Sequence, residues 1–211
     1  MISYILLIVS IIGVMFSYLI LIINKVMVSK KHVDNYTGFD IAKEVTTNYD
    51  VINIVSSSDI VSSEYDIKRN IIRLNSKNYD GNSYIDIAVS ALLAGISLVN
   101  NESSSYFKFS SIFKKIRSIS LVPLVMVILS YFISNIGDAK IGIILFSLLL
   151  VYQYMRYQIV VSANEFIENN LDKNIYDMIK NIIYGYINFY KVSFIVSLVM
   201  LLRLVVIILA I

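Results

Sequence analysis

The chain has 211 residues, of which 57% are hydrophobic and 16% charged, and its mean hydropathy is +0.73. Soluble domains carry nearer about 25% charged residues, so the composition indicates an integral membrane protein. Because there is no cysteine, disulfides and thiolate metal sites are excluded. The net charge of +3 is small, and the basic residues follow a topology pattern, so we expect the lipid bilayer and no nucleic acid as a partner.

The first predicted element, residues 1–24, is an N-terminal transmembrane helix. Residues 2–24 are apolar and uncharged, about the length needed to span a bilayer. The segment lacks the charged start and small-residue cleavage site of a signal peptide, so we expect it to be retained. Lys25, Lys30 and Lys31 follow it and no basic residue precedes it. The positive-inside rule therefore predicts an N-terminus outside the cell and a cytoplasmic region after the helix.

Residues 25–117 form the predicted cytoplasmic α+β region. Thr37 with Asp40 is a capping-box pattern, which predicts a helix from there through Asn48. Alternating or β-branched stretches predict short strands at residues 51–55 and 70–74. We expect Tyr65 and Asp66 to lie in the connection between these strands.

This region ends in an apolar helix and a basic cluster. The run AVSALLAGISLV, residues 88–99, is too short to cross a bilayer, which needs about 20 apolar residues. It is also too apolar for a solvent-facing helix, so we expect it to pack as core, after a cap at Asn82 or Ser83. The basic cluster consists of Lys108, Lys114, Lys115 and Arg117. We interpret it as a topology signal that anionic lipids attract.

Residues 118–211 form the predicted C-terminal membrane region. Spans are predicted at 121–136, with Pro123 in its first turn, at 141–157, and at 192–211. A tight turn at 137–140 joins the first two, and an amphipathic helix at 162–185 carries Glu165 and Glu168 on one face. Four aromatic residues resemble an interfacial belt: Tyr184, Tyr186, Phe189 and Tyr190.

The predicted fold is therefore an α-helical membrane protein with about four transmembrane helices and a small α+β cytoplasmic portion. Both termini lie outside, and a multi-pass protein of a bacterial plasma membrane is expected. Arg203 is the only charge well inside a span. It could meet a carboxylate in another helix or subunit, but we favour snorkelling of its side chain to the nearby interface.

Three segments carry a resemblance to a known family: TGFDIAKEV, SSEYDIKRNIIRLN and SYIDIAVSALLAGISLVNN. In order and spacing they are similar to the bacterial membrane zinc metallopeptidase family, of the neutral zinc metallopeptidase type. That family has an Asp-His-Tyr-Asp-Pro segment followed by a strand of the Lys-Val-Val-Arg-Leu-Ser kind. The matching residues are Tyr65, Asp66, Arg73 and Leu74, and the departures are Ser63, Glu64 and Ile67. The resemblance covers essentially the whole chain and implies a zincin-like α+β portion.

In that family the helix after the strand carries His-Glu-x-x-His. Two imidazoles at i and i+4 bind Zn²⁺, and the Glu polarises the metal-bound water. The resemblance places the two histidine positions at Leu92 and Ile96 and the Glu position at Leu93. None of these side chains can bind a metal or move a proton. The resemblance therefore implies a degenerate site, and we expect no bound zinc and no other cofactor.

The family's third zinc ligand is a Glu in a Leu-Pro-Val-Glu-Phe segment. Its closest match here is IVVSANEF, which places Ser162 at the ligand position, whereas a shift of three would select Glu165. The small residues Ala91, Ala94 and Gly95 would let a neighbouring helix approach the former zinc helix closely.

The first functional interpretation is a non-catalytic, peptidase-like membrane protein that acts as a regulatory or binding subunit, a pseudoenzyme. Its partner would be another membrane protein, either a catalytically intact relative or a client that is held but not hydrolysed. Zincin-type peptidases hold peptides by strand addition. The predicted peptide-binding element is therefore an edge strand formed by Asn70, Ile71, Ile72, Arg73 and Leu74.

Two alternatives stay open at this point. An active hydrolase with a displaced site would combine His32 with Asp66, Glu165 or Glu168, or would use Asp66 with Glu64 as a carboxylate pair. Against this, Asp66 fits a turn in which its side chain bonds backbone amides. The other alternative is a structural subunit of a membrane complex. Solute transport is disfavoured, because the spans carry few polar groups.

Overall fold

The computed structural model describes residues 2–28, 31–49, 52–58, 63–102, 122–133 and 135–209. In chain order the elements are α1 (Ile2–Val28), α2 (Gly38–Thr46), β1 (Asn53–Ser57), β2 (Glu64–Asp66), β3 (Ile71–Asn75), α3 (Ser76–Asp80), α4 (Tyr84–Glu102), α5 (Val122–Phe132), α6 (Ile136–Asn170) and α7 (Lys173–Leu209).

The contacts divide the chain into two compact units. The helical unit contains α1 to Leu21, α5, α6 to Tyr157 and α7 from Asn188. The mixed unit contains α2, α3, α4 and the three strands, together with residues 158–187 of α6 and α7. The segment 162–185, which the sequence places in the C-terminal membrane region, belongs to the mixed unit by its contacts.

Within the described residues, α1, α4, α6 and α7 are long and apolar enough to cross a membrane. The spans predicted at 2–24 and 141–157 lie in α1 and α6, and the described part of the span predicted at 192–211 lies in α7, which ends at Leu209. The span predicted at 121–136 is not among them, since α5 has 11 residues. Instead α4 qualifies by length and composition, but 61% of its most apolar stretch is buried, against 22%, 28% and 33% in α1, α6 and α7. We therefore describe α4 as a core helix.

The boundary between α5 and α6 differs from the predicted tight turn at 137–140. Asn135 Oδ1 accepts a hydrogen bond from the amide of Asp138 at 2.9 Å, and Asn135 Nδ2 donates to the Asp138 carboxylate at 2.6 Å. Asparagine is a strong helix N-cap, so α6 begins at Ile136. Residues 137–140 are consequently the first turn of α6.

The amphipathic helix predicted at 162–185 is two helices in the structure. Residues 162–170 continue α6 without a break after the apolar stretch, and the chain leaves the helical conformation at Leu171 and Asp172. The Asp172 carboxylate accepts a hydrogen bond from the amide of Asn174 at 2.8 Å. Asp172 therefore starts α7 as a side-chain cap.

The mixed unit contains a three-stranded sheet in the order β1-β3-β2. β1 is parallel to β3, with Asn53 opposite Ile71, and β2 is antiparallel to it, with Tyr65 opposite Ile72. The prediction that residues 70–74 form an edge strand is wrong, because β3 is paired on both sides. The prediction of Tyr65 and Asp66 in a connection is also wrong, since they form β2. A strand of three residues is too short for a recognisable alternation.

The helix caps predicted in the mixed unit are confirmed. The Thr37 amide donates to Asp40 Oδ2 at 2.9 Å and the Asp40 amide to Thr37 Oγ1 at 3.3 Å, a complete capping box. Ser83, and not Asn82, caps α4, because its Oγ accepts from the Asp86 amide at 3.2 Å. These caps place the buried faces of α2 and α4 in the core beside Ile72 and Leu74, which are fully buried.

The helical unit packs through apolar side chains of all four of its helices: Leu7, Val14, Met126, Val127, Phe146, Tyr152, Val196, Met200 and Leu204. The prediction that Arg203 snorkels is wrong. Arg203 is 4% exposed and donates from Nη1 to the backbone carbonyl of Ser130. The guanidinium is therefore held by α5 inside the unit.

The basic cluster of Lys108, Lys114, Lys115 and Arg117 lies outside the described residues, and so does Lys30. The predicted orientation, with its extracellular N-terminus and cytoplasmic polar region, stays a prediction.

Candidate functional site

The turn of α4 between the apolar residues Leu92 and Ile96 is where the sequence resemblance predicts the family's zinc-binding motif. Leu92 is 8% exposed, and Leu93 and Ile96 are partly exposed. Residues four apart lie on the same helix face, so Leu92 and Ile96 present two adjacent hydrocarbon side chains. This face offers neither a lone pair for a metal nor a group that could accept a proton.

The same turn of α4 is in close contact with α6 through Gly95. A methyl group at Gly95 would lie 2.5 Å from the carbonyl oxygen of Ala163, closer than van der Waals contact allows. Both residues are fully buried. The two helices therefore meet backbone to backbone, as the small residues of α4 predicted.

The contact also bears on the third-ligand position. Ser162 directly precedes Ala163 and is partly exposed, whereas Glu165 is exposed. At 3.6 residues per turn, Glu165 lies about 200° around the helix from Ala163 and so points away from α4. The assignment of Ser162 rather than Glu165 to the family's ligand position stays a prediction.

The residues present at this place do not fit a zinc ion. Zinc in proteins is held by imidazole, thiolate or carboxylate groups, and the aligned side chains are Leu92, Leu93, Ile96 and Ser162. In the part of the chain that the structure describes, no group of three or more His, Cys, Asp or Glu residues could hold a metal ion. The expectation that the protein binds no zinc remains a prediction for experiment.

The residues that match the family around β2 and β3 form a connected polar cluster. Tyr65 is 7% exposed, donates from its hydroxyl to Asn70 Oδ1 at 2.6 Å, and accepts from Asn100 Nδ2 at 2.8 Å. Burial raises the pKa of Tyr65, and the hydrogen bond from Asn100 opposes that rise. The phenol therefore stays neutral near physiological pH and joins β2, the β2–β3 turn and α4.

The two carboxylates beside Tyr65 share one guanidinium. Arg73 Nη2 lies 3.0 Å from Asp66 Oδ2, and Arg73 Nη1 lies 4.0 Å from Glu64 Oε1. Asp66 Oδ1 also accepts from the backbone amide of Lys68 at 3.2 Å, as the turn interpretation predicted. Both carboxylates are thus tied by Arg73 to the sheet that they help to form.

His32 is exposed and lies beside Asn82 and Ser83, the residues that precede α4. Its Nδ1 is 2.9 Å from Asn82 Oδ1, and its backbone forms an isolated bridge with Ser83. Glu165 and Glu168 are also exposed, and neither joins His32 in a metal-capable group among the described residues. Among the described residues, the displaced site built on His32 has no metal-capable group of side chains.

Asn100 is the residue of this cluster that sequence reasoning missed. It lies one turn beyond Ile96 on α4, directly after the apolar run, and bonds Tyr65 across 35 positions of sequence. The sequence does show a polar residue at the end of a buried helix, but that Tyr65 is the partner of Asn100 depends on tertiary packing.

The family model described as "Putative neutral zinc metallopeptidase" matches residues 2–209, which include every helix and strand above. No curated protein and no solved structure matches significantly. The match agrees with the resemblance carried by the residues of β2, β3 and α4. The chain belongs to the neutral zinc metallopeptidase family.

Proposed function

We propose that this protein is a non-catalytic member of its family, which binds another membrane protein and does not hydrolyse it. The observation that carries the proposal is the middle of α4. Leu92, Leu93 and Ile96 stand where a zinc peptidase needs two metal ligands and a general base. The neighbouring Gly95 packs against the backbone of α6, so this turn supports the core.

A client segment in extended form would pair with β1. β3 is paired on both sides, so it cannot take another strand. β1 is an outer strand of the sheet, and Asn53, Val55 and Ser56 along it are exposed. Backbone groups on such an edge are where strand addition occurs.

The partner is proposed to be an integral membrane protein, in the form of a heteromer with a catalytically intact relative. Support comes from an apolar groove of about 270 Å³ between α1 and α5 in the helical unit. Its lining is Leu7, Ile11, Val127, Ile128, Tyr131 and Phe132. Helices in a membrane associate chiefly by packing, and this groove has the size of several apolar side chains of a partner helix.

Metal content is the direct test of the non-catalytic proposal. Detergent-purified protein, checked for helicity, is expected to contain zinc far below one equivalent by mass spectrometry. Near-stoichiometric zinc would overturn the proposal.

A restored variant tests the alignment behind it. Combining Leu92→His, Leu93→Glu, Ile96→His and Ser162→Glu should create zinc binding. The control replaces the same four residues by alanine, which removes volume without adding donors. A restored variant that folds and binds no metal would show that the assigned register is wrong.

Cross-linking tests the partner proposal, because the chain has no cysteine of its own. Ile11→Cys, in the α1–α5 groove and labelled on its thiol with a benzophenone maleimide, should form a photo-cross-linked adduct with a family member that retains His-Glu-x-x-His. Ile144→Cys on α6, 69% exposed in the native residue, is the control and should give less adduct. An adduct with a second copy of this chain would contradict the heteromer.

The same background tests the orientation proposal. Lys43 on α2 and Lys140 on α6 are both exposed. With a membrane-impermeant thiol reagent on intact cells, Lys140→Cys should be labelled and Lys43→Cys should not. The reverse pattern would invert the proposed topology.

A further inference from the structure

Four polar side chains of α6 and α7 in the helical unit have buried atoms that lack hydrogen-bond partners among the described residues: Gln153, Arg156, Ser193 and Arg203. Gln153 is 0% exposed, and both its amide nitrogen and its amide oxygen are without a partner. The same holds for Oγ of Ser193, which is 1% exposed, and for Nε of Arg156. Unpaired polar groups are strongly unfavourable in the hydrocarbon region. These atoms therefore call for a partner beyond the described residues.

Two ring contacts fix how α6 and α7 pass each other at this point. The guanidinium carbon of Arg156 lies 5.7 Å from the centre of the Tyr190 ring. The ring centres of Tyr154 and Phe194 are 5.5 Å apart. Since position numbers fall on α6 as they rise on α7, the two helices are antiparallel here.

This register brings three of these four side chains together. Gln153 lies three residues before Arg156 on α6, and Ser193 lies three residues after Tyr190 on α7. Helical periodicity places both on the facing sides, at one level, about 5 Å along the helix axis from Arg156. We call Gln153, Arg156 and Ser193 the buried polar cluster.

The buried polar cluster lies where α6 and α7 change from aromatic-polar to apolar sequence. Residues 152–158 read YQYMRYQ and residues 184–191 read YGYINFYK, while residues 141–151 and 192–202 carry no charge. Tyrosines of this density mark the headgroup level of a bilayer. Arg156 is partly exposed, so the cluster is reachable from that level.

Arg156 has no counter-charge in the described part of the chain. The ion pairs there join Arg73 to Glu64 and Asp66, and Lys180 to Asp177. A water molecule would satisfy the amide of Gln153 and the hydroxyl of Ser193, but it would leave the guanidinium charge uncompensated. An anionic oxygen satisfies all three.

We propose that the buried polar cluster binds the phosphate of an anionic phospholipid, with Gln153 and Ser193 bonding the adjoining glycerol oxygens. A guanidinium is the side chain best suited to a phosphate, and basic pockets between transmembrane helices take anionic headgroups. The glycerol oxygens lie deeper in the bilayer than the phosphate, as Gln153 and Ser193 lie deeper than Arg156. This site does not depend on whether the protein hydrolyses peptides.

Thermal unfolding in vesicles tests the site. In phosphatidylcholine with added phosphatidylglycerol, the wild-type melting temperature should exceed that in pure phosphatidylcholine by about 5 °C. Arg156→Gln and Gln153→Leu should lose most of this shift, and Ser193→Ala should lose part of it. Lys191→Gln removes an exposed lysine at the same level and should keep the shift.

Each contrary result has a definite meaning. Equal losses in Lys191→Gln and Arg156→Gln would show general surface attraction, and the site would be rejected. If Gln153→Leu melted at a higher temperature than wild type, by the same amount in both lipid mixtures, the amide would bind only water and the lipid contact of Gln153 would be rejected. A matching stabilisation by inorganic phosphate in detergent would identify a free-phosphate site and overturn the lipid assignment. If Arg156→Gln fails to fold, the lipid-dependent shifts in melting temperature of Ser193→Ala and Lys191→Gln are compared instead. A smaller shift in Ser193→Ala than in Lys191→Gln would support the site, and equal shifts would reject it.

Discussion

The mixed unit and the helical unit differ in how far their polar side chains find hydrogen-bond partners. In the mixed unit Tyr65 bonds Asn70 and Asn100, and Arg73 pairs with Asp66. In the helical unit the buried Gln153 and Ser193 have unpartnered atoms among the described residues. Hydrogen bonds and ion pairs between specific side chains therefore help to fix the arrangement of the mixed unit, whereas the arrangement of the helical unit depends mainly on apolar packing.

The exposed surface of the helical unit is apolar. Side chains of α1, α5 and α6 in the helical unit are large, apolar and exposed, as Phe16, Phe132 and Ile141 illustrate. Such a surface is stable in lipid and not in water. The helical unit therefore depends on its surroundings for both its apolar and its polar contacts.

The largest expected effect tests the backbone contact in the mixed unit. Gly95→Ala places a methyl group against the Ala163 carbonyl and should lower the free energy of unfolding by about 3 kcal/mol. Gly137→Ala is the control, because its methyl group would lie 3.4 Å from Asn135 Oδ1 on an exposed turn. It should be neutral or stabilising by about 0.5 kcal/mol. Thermal unfolding in detergent measures both, and equal losses would refute the contact.

The next effect compares one arginine from each unit. Arg73→Met leaves Asp66 without its guanidinium and should cost about 1.5 kcal/mol, discounted for the partial exposure of the pair. Arg203→Met removes a guanidinium that has a backbone carbonyl and no carboxylate and should change stability by about 0.5 kcal/mol or less. If Arg203→Met were the more damaging change in chemical denaturation, the contrast between the units would be wrong.

The smallest effect concerns Tyr65 and pH. Tyr65→Phe removes two hydrogen bonds and should cost about 1 kcal/mol at neutral pH. Burial holds the pKa of Tyr65 above its ordinary value in the folded state. The contribution of the phenol is therefore complete below the unfolded pKa of about 10 and is lost as pH rises through the folded pKa.

The stability gap between wild type and Tyr65→Phe should consequently narrow above pH of about 10. Unfolding midpoints from neutral to alkaline pH measure that gap. A gap that stays constant, or widens, would contradict the buried position of the phenol. Tyr36, which is 37% exposed in the same unit, provides the control as Tyr36→Phe.

Local signals in the sequence were sufficient for the caps and the core helix. The capping box of Thr37 and Asp40, the cap at Ser83 and the burial of α4 all follow from residues within a few positions of each other. Asp172 was an N-cap signal of the same kind, and it marks the break that the interpretation of 162–185 as one helix overlooked. The family was also within reach, from the order of the segments around Tyr65, Arg73 and α4.

Features that depend on distant contacts were not predictable from one sequence. The central place of β3 depends on two partners, one of which, β2, has only three residues. Arg203 seemed free to snorkel until α5 placed the Ser130 carbonyl beside it. The burial of Gln153 also depends on tertiary packing, which the sequence alone does not give.

The sheet order implies a sequence of folding events. β2 and β3 pair as an antiparallel hairpin across a turn of four residues, and such local pairs form within about 1–10 μs. β1 joins β3 in parallel from farther along the chain, and parallel pairing closes a longer loop and is slower. The hairpin would be the template, and β3 would briefly present an open edge to other chains during synthesis. Pulsed hydrogen exchange during refolding should show the amides of β3 that face β2 protected before those of β1.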